Sequence, residues 1–267
     1  MKCILFCINY NSFESLINYL NSINIAYNNV TDKLELIVVI VDNSNKFKKV
    51  NTKNYSFNVI HIETKSNLGY FGGFSYGIKK CKENIKTFNY IMVSNVDLIM
   101  DQNFFNKLVY LKTEPDVGCI APSIISKKEK IDRNPKILKR YSAKSLKKLM
   151  LMYKFPILYY MYRLLFYTKR RKKVNHESEQ IIYGAHGAFM IFKNNFSDFL
   201  SNFVYPTFLF GEEIFCAEHL RLNNLKTIYK KELVVYDSEH ISTSKMRKRY
   251  YFECNYNALK TIMKEFY

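Results

Sequence analysis

What most constrains this chain is a succession of short, nearly unbroken apolar runs separated by stretches of helical periodicity. Residues 34–41 read Leu-Glu-Leu-Ile-Val-Val-Ile-Val, the strongest strand signal in the sequence, and 3–8, 57–62, 90–93 and 117–121 repeat it. Apolar runs without polar alternation belong to strands covered on both faces, and such strands build mostly parallel sheets joined by crossover helices. Residues 12–25 carry the spacing that the first crossover helix needs. The expected fold class is α/β, a mostly parallel sheet flanked by helices. After 121 the alternation breaks. It resumes with an expected strand over 181–192, a helix over 212–224, short strands at 227–229 and 233–236, and a final helix over 246–267. No internal repeat or low-complexity linker divides the chain. One domain over 1–267 is expected, with 123–178 as a basic, aromatic, helical insert within it.

Charge singles out the insert. The 267 residues carry 41 Lys and Arg against 23 Asp and Glu, a formal net charge of +18. Residues 127–173 hold 17 of the basic residues and only Glu129 and Asp132 as acids, so the rest is close to neutral. Within it, 149–168 is apolar and aromatic but interrupted by Lys154, Pro156 and Arg163. A membrane-spanning helix needs about 20 predominantly apolar residues. An amphipathic element lying on an anionic membrane surface is the expectation, ahead of a true span or a core-packed excursion. Tyr and Lys interleave here as they do in nucleic-acid binders, yet no recognised binding motif accompanies them, and no nucleic acid is expected. The cysteines at 3, 7, 81, 119, 216 and 254 form no Cys-x-x-Cys pair or zinc spacing. Free thiols in a reducing compartment follow. The first apolar run meets Asn9 too early for a signal-peptide core.

Open α/β sheets bind ligands beyond the carboxyl ends of their strands, and four features fall there. Asn9-Tyr10-Asn11 follows the first strand and Asp42-Asn43-Ser44 the second. Asp42 is placed to accept from a base or ribose, although Asp-Asn-Ser is equally good turn chemistry. Asn67-Leu68-Gly69-Tyr70-Phe71-Gly72-Gly73 opens the helix after the third strand, where glycines permit close backbone approach and a helix start attracts phosphate. Ser94-Asn95-Val96-Asp97 ends the fourth; Asp97 either holds a divalent cation against a diphosphate or caps a helix starting near Asp101. Glu212 and Glu213, behind Phe208-Leu209-Phe210-Gly211, either complement a helix dipole or supply a general base.

Taken in order, Asn9-Tyr10-Asn11, Val41-Asp42-Asn43-Ser44, Asn67-x-Gly69-x-x-Gly72-Gly73, Asn95-x-Asp97 and Gly211-Glu212-Glu213 resemble the motif set of an inverting family 2 glycosyltransferase of the GT-A fold. The flavour is that of rhamnosyltransferase-like hexosyltransferases of bacterial surface polysaccharide and O-antigen synthesis. The resemblance covers roughly 1–245 and leaves 123–178 outside. It implies that Asn9, Tyr10, Asn11, Asp42, Asn43 and the loop with Asn67, Gly69, Gly72 and Gly73 hold the nucleoside part of a UDP- or dTDP-type sugar donor. Asn95 and Asp97 stand where the family has Asp-x-Asp, so a Mg²⁺ or Mn²⁺ ion would have one negative ligand fewer. Gly184-Ala185-His186-Gly187 matches a small-residue strand lining the cleft. Glu213 matches the catalytic base, with Glu212 in reserve. Asp237 and His240 lie near the family's late metal- or phosphate-contacting element, and which of them reaches the site is left open. The acceptor implied is a lipid-diphosphate-linked saccharide, which places the protein on the cytoplasmic face of the plasma membrane.

Two other classes compete. A nucleotidyltransferase wants a glycine-rich loop with Arg and Lys after the first strand, where this chain has Asn9-Tyr10-Asn11-Ser12. A non-catalytic membrane or nucleic-acid binder accounts for 127–173 but leaves the strand-end carboxylates without use.

Overall fold

The computed structural model describes residues 1–46, 48–164, 177–238 and 247–267. Strand β1 (Lys2–Asn9) runs parallel between β2 (Glu35–Asp42) and β4 (Tyr90–Asn95), and β3 (Asn58–Glu63) extends the sheet beyond β2. Helices α1 (Phe13–Asn28) and α2 (Tyr70–Lys80) make two of the crossovers. On the other side of β4 lie β9 (Phe189–Lys193), β6 (Val117–Ser126), β10 (Lys226–Asp237) and β5 (Leu98–Met100), in that order. Short β7 (Ile131–Asp132) pairs with β6, and β8 (Glu179–Ile182) pairs with β10. The four longest pairings, β1 with β2, β1 with β4, β2 with β3 and β6 with β10, are parallel. The class is the expected one.

The apolar runs have a simple cause. In β1, Cys3, Leu5 and Cys7 enter a core beneath α1 and α3 (Phe104–Val109), while Ile4, Phe6 and Ile8 enter a second core beneath α2, α6 (Ser197–Asn202) and α7 (Glu212–Leu222). Period-two alternation thus feeds two apolar layers rather than one, and between Cys3 and Ile8 neither face carries a polar residue. Each fully buried Leu, Ile or Phe contributes roughly 1.5–3 kcal/mol. A third, smaller cluster joins α4 (Ala143–Lys154) to α7 and to α8 (Lys248–Phe266) through Leu146, Ile214, Leu259 and Ile262. All six cysteines are buried and unpaired.

Three local expectations are corrected. The strand expected over 181–192 is two strands, because the intervening backbone pairs elsewhere. Ile137 N–H donates to the Gly184 carbonyl at 3.1 Å, and His186 N–H donates to Asn134 Oδ1 at 2.9 Å. The strands expected at 227–229 and 233–236 are one 12-residue strand, whose register shift between Lys230 and Val234 absorbs the polar Lys230-Lys231-Glu232. The helix expected near Asp101 begins at Phe104, with Asp101 forming the turn before it through Asn103 N–H to Oδ1 at 3.0 Å. Residues 149–154 belong to α4, whose Leu149, Met150 and Tyr153 pack toward α8 while Leu151 and Lys154 stay exposed. Residues 156–162 form a separate helix, α5 (Pro156–Tyr162), and 165–168 lie outside the described residues.

Candidate active site

β1, β2 and β4 end at one edge of the sheet, and a cleft of about 870 Å³ opens there. Tyr10 enters it after β1, Asn43 after β2, and Asn95 and Asp97 at the end of β4. Asn67, Gly69 and Tyr70 line it from the start of α2, His186 and Gly187 from the bend before β9, and Glu212 and Glu213 from the first turn of α7. Residues more than 100 positions apart in sequence thus share one hollow.

Other expected site residues stand behind this surface. Asn9, Asn11, Asp42, Gly72, Gly73, Gly184 and Ala185 do not line the cleft. Asp42 is buried, and its Oδ1 accepts from Asn9 Nδ2 and from the Ser44 N–H, each at 3.0 Å. Its carboxylate therefore shapes the turn that presents Asn43. Asn43 Nδ2 donates to the Gly69 carbonyl at 2.9 Å, and Asn67 Oδ1 accepts the Gly69 N–H at 2.9 Å. Asp237 lies off the cleft, where Arg133 Nε donates to its Oδ2 at 2.6 Å. His240 lies outside the described residues.

Gly69 joins two walls of the cleft. Its φ is +73°, and a Cβ there would sit 1.8 Å from the Phe208 carbonyl oxygen. Only glycine lets the start of α2 meet the loop that carries Phe208, Phe210 and the two glutamates. Gly69→Ala is expected to cost on the order of 3 kcal/mol, from left-handed strain plus the clash. Urea denaturation checks this, and a loss below about 1 kcal/mol would contradict it.

The two glutamates are held under strain. Phe210, which is not glycine, has φ +66°, a conformation costing on the order of 1 kcal/mol, and Gly211 follows at φ +88°. The Tyr205 hydroxyl donates to the Phe210 carbonyl, and the Phe210 ring meets Tyr251 at 5.2 Å. Glu212 reaches back against Gly187, where a Cβ would fall 2.3 Å from its Oε1. Burial pushes the Glu212 carboxyl up to about 8; the neighbouring Glu213 charge adds to this, and Lys136 opposes it. The charge of Glu213 also raises the Tyr141 and Tyr153 phenols, behind burial as the main cause.

Tyr70 connects the acids. Its hydroxyl is buried with no hydrogen-bond partner among the described residues, and burial together with the charges of Glu212 and Asp97 pushes it well above the usual phenol range. A buried donor without an acceptor is uncommon, and a ligand oxygen would satisfy it. His186 accepts the Ala188 N–H on Nδ1 at 3.1 Å, while burial and the charges of Lys136 and Arg133 hold it well below the ordinary histidine value. With Nδ1 accepting, the ring proton is on Nε2.

For a divalent cation the cleft offers the Asp97 carboxylate and the Asn95 amide oxygen, and no group of three His, Cys, Asp or Glu exists among the described residues. That set fits a cation held jointly by one carboxylate, water and substrate phosphates, the usual mode of Mg²⁺.

Sequence reasoning missed the opposite wall. Lys136, Tyr141, Leu149 and Tyr153 come from the basic segment, and Tyr250, Tyr251, Asn255 and Leu259 from α8. The helical spacing of Tyr251, Asn255 and Leu259 was the available signal.

The sheet, its flanking helices and the cleft can be set beside known proteins. The family model for glycosyl transferase family 2 matches residues 5–196. Comparison with curated protein sequences gives no significant match. Among solved structures, GalNAc-T7 with UDP, GalNAc and Mn²⁺ superposes with a TM-score of 0.57 at 13 % identity, over 88 % of this chain and 43 % of that one. TarS 1–349 of S. aureus in complex with UDP gives 0.54 at 13 %, over 98 % and 65 %. The mannosyltransferase PcManGT of Pyrobaculum calidifontis with GDP-Man and Mn²⁺ gives 0.52 at 12 %, over 98 % and 68 %. The chain spans less than two thirds of the GalNAc-T7 and TarS structures. At these identities the likeness concerns the fold, which is GT-A. Matched over well over half its length, the chain belongs to glycosyl transferase family 2, a family of glycosyltransferase enzymes.

Proposed function

We propose that the cleft transfers a sugar from a nucleoside-diphosphate donor to a saccharide hydroxyl with inversion at the anomeric carbon. The observation that carries this reading is the meeting of Asp97 and Glu213 on one cleft from positions more than 100 residues apart. Tyr10, 41 % exposed at the rim, presents a ring to the base, and Asn43 and Asn67 shape the nucleoside pocket. Asp97 and Asn95 would hold a Mg²⁺ or Mn²⁺ ion. When bound, that ion neutralises charge on the departing diphosphate. Lys136, the Tyr70 hydroxyl and the His186 Nε2–H are further donors for phosphate or sugar oxygens.

The chemistry is a single displacement. Glu213 takes the proton of the acceptor hydroxyl as that oxygen bonds to the anomeric carbon. The bond from this carbon to the phosphate oxygen breaks, and the nucleoside diphosphate leaves with the electron pair. Glu212, pushed up to about 8, keeps its proton at neutral pH and serves as a hydrogen-bond donor. The tyrosines of α4 and α8 give the acceptor an aromatic wall. A UDP- or dTDP-type donor, a rhamnosyl-like sugar and a role in bacterial surface polysaccharide or O-antigen synthesis follow from the motif resemblance alone.

Thermal denaturation with UDP, dTDP and GDP, each with and without Mn²⁺, tests the donor side. One nucleoside diphosphate is expected to stabilise the fold by about 2.7 kcal/mol at a hundredfold excess over its Kd. Mn²⁺ should add to the shift only when that nucleotide is present, because Asp97 supplies one carboxylate. No shift with any of the three would overturn the assignment.

A further inference from the structure

We infer that the outward face of α5 seats the protein on an anionic lipid bilayer and holds the mouth of the cleft against its surface. The inference deepens the reading above by naming what brings the acceptor to Glu213, and it rests on that reading only for the acceptor's identity. Ile157, Met161 and Leu164 stand at i, i+4 and i+7 in a helical run that continues through Leu164, so they form one stripe. They are 74 %, 54 % and 80 % exposed. The other side of α5 is anchored, since Tyr159 meets Phe252 of α8 at 5.2 Å. Packing therefore turns the apolar stripe outward, and a contiguous exposed apolar stripe marks a contact surface.

Charge identifies the occupant. Lys144, Lys147, Lys148 and Lys154 are exposed on α4, and residues 143–164 contain no Asp or Glu. A second copy of this face would bring lysines against lysines, and a nucleic acid would make no use of the stripe. An anionic bilayer satisfies both features, with lipid phosphates for the lysines and acyl chains for the stripe. No helix among the described residues is long and apolar enough to cross a membrane, so α5 lies in the interface. The cleft is adjacent: Tyr153, part of its wall, stacks on Tyr159 at 5.8 Å. An acceptor with its lipid end in the bilayer would thus reach the cleft by its sugar end.

Flotation of the full chain with vesicles tests the inference, comparing equal parts phosphatidylglycerol and phosphatidylcholine with phosphatidylcholine alone. The protein should float with the anionic vesicles and be largely released by about 0.5 M NaCl. The double variant Ile157→Asp/Met161→Asp should partition at least about tenfold less. Lys147→Ala/Lys148→Ala should partition roughly 25-fold less, about fivefold per lysine. Both should keep the parent's melting temperature and nucleotide-induced shift, because neither alters a cleft residue. Equal partition of parent and variants, equal binding to neutral vesicles, or no vesicle binding would overturn the inference. So would a dimer in light scattering that Ile157→Asp/Met161→Asp dissolves without any vesicle binding, which would give the face to a second copy. Loss of the nucleotide shift in the parent would instead strike the glycosyl-transfer reading and leave the docking result standing.

Discussion

Glu213→Gln is expected to lower kcat by roughly 10³-fold while the Kd for the nucleoside diphosphate changes less than about threefold. A sugar hydroxyl is a weak nucleophile, and the amide cannot accept its proton. The substitution keeps the size and polarity of the side chain, so the first turn of α7 and the donor side of the cleft should be undisturbed. Glu212→Gln is the contrast. Its carboxyl already holds a proton at neutral pH, and an amide nitrogen can donate in its place, so a loss within about tenfold is expected. Its effect on stability has a definite sign. The folded value is raised from 4.5 to about 8. The favourable contribution of the protonated form is complete below about pH 4.5 and is lost as pH rises through 8. Glu212→Gln should therefore stabilise the fold at pH 9 by roughly 1–3 kcal/mol and flatten the decline between pH 5 and 8. A tenfold loss at Glu213 together with a 10³-fold loss at Glu212 would exchange the two roles.

Glu218→Ala is expected to cost about 3 kcal/mol of stability at pH 7. The Glu218 side chain is 0 % exposed. It accepts from Arg140 Nε at 2.6 Å, Arg221 Nε at 3.0 Å, the Tyr267 hydroxyl at 3.2 Å and the Tyr183 hydroxyl. Burial alone would raise its carboxyl, but the hydrogen bonds from Arg140, Tyr183 and Arg221 outweigh burial and bring it below the ordinary range. Both arginines keep substantial contact with water, which holds the figure to the lower end for buried ion pairs. A lowered carboxyl stabilises the fold above its unfolded value and loses that contribution as pH falls through its folded one. Urea denaturation should accordingly show the gap between parent and Glu218→Gln closing on acidification. A constant gap down to pH 3 would contradict the network. The cluster ties α7 to the segment before α4 and to the end of α8, so it also fixes where Glu213 stands.

These elements show what a linear reading can and cannot reach. The strand at 34–41 was legible because burial on two faces writes an unbroken apolar run. The ends of β1, β4 and the start of α7 were legible as cleft positions because strand ends mark where an α/β sheet opens, although turn-forming, capping and dipole uses fit the same residue types. The break at 183–188 was not, since its backbone partners Asn134 and Ile137 lie about 50 residues away. β10 was misread because Lys230, buried in an ion pair with Glu179, looks like a loop residue. Asp42 was rightly seen as a carboxylate at a strand end. Nothing local reveals that Asn9 and Ser44 engage it. The wall built by α4 and α8 escaped notice because the tyrosines of a basic insert look the same whether they face a cleft, a core or a membrane.

The most direct test is a crystal structure of Glu213→Gln with its intact nucleotide sugar and Mn²⁺. The account predicts the diphosphate in the cleft with Mn²⁺ about 2.0–2.2 Å from an Asp97 carboxylate oxygen. The anomeric carbon should then face residue 213 across a space wide enough for one acceptor hydroxyl. A nucleotide bound elsewhere, or a sugar whose open face points away from residue 213, would contradict it.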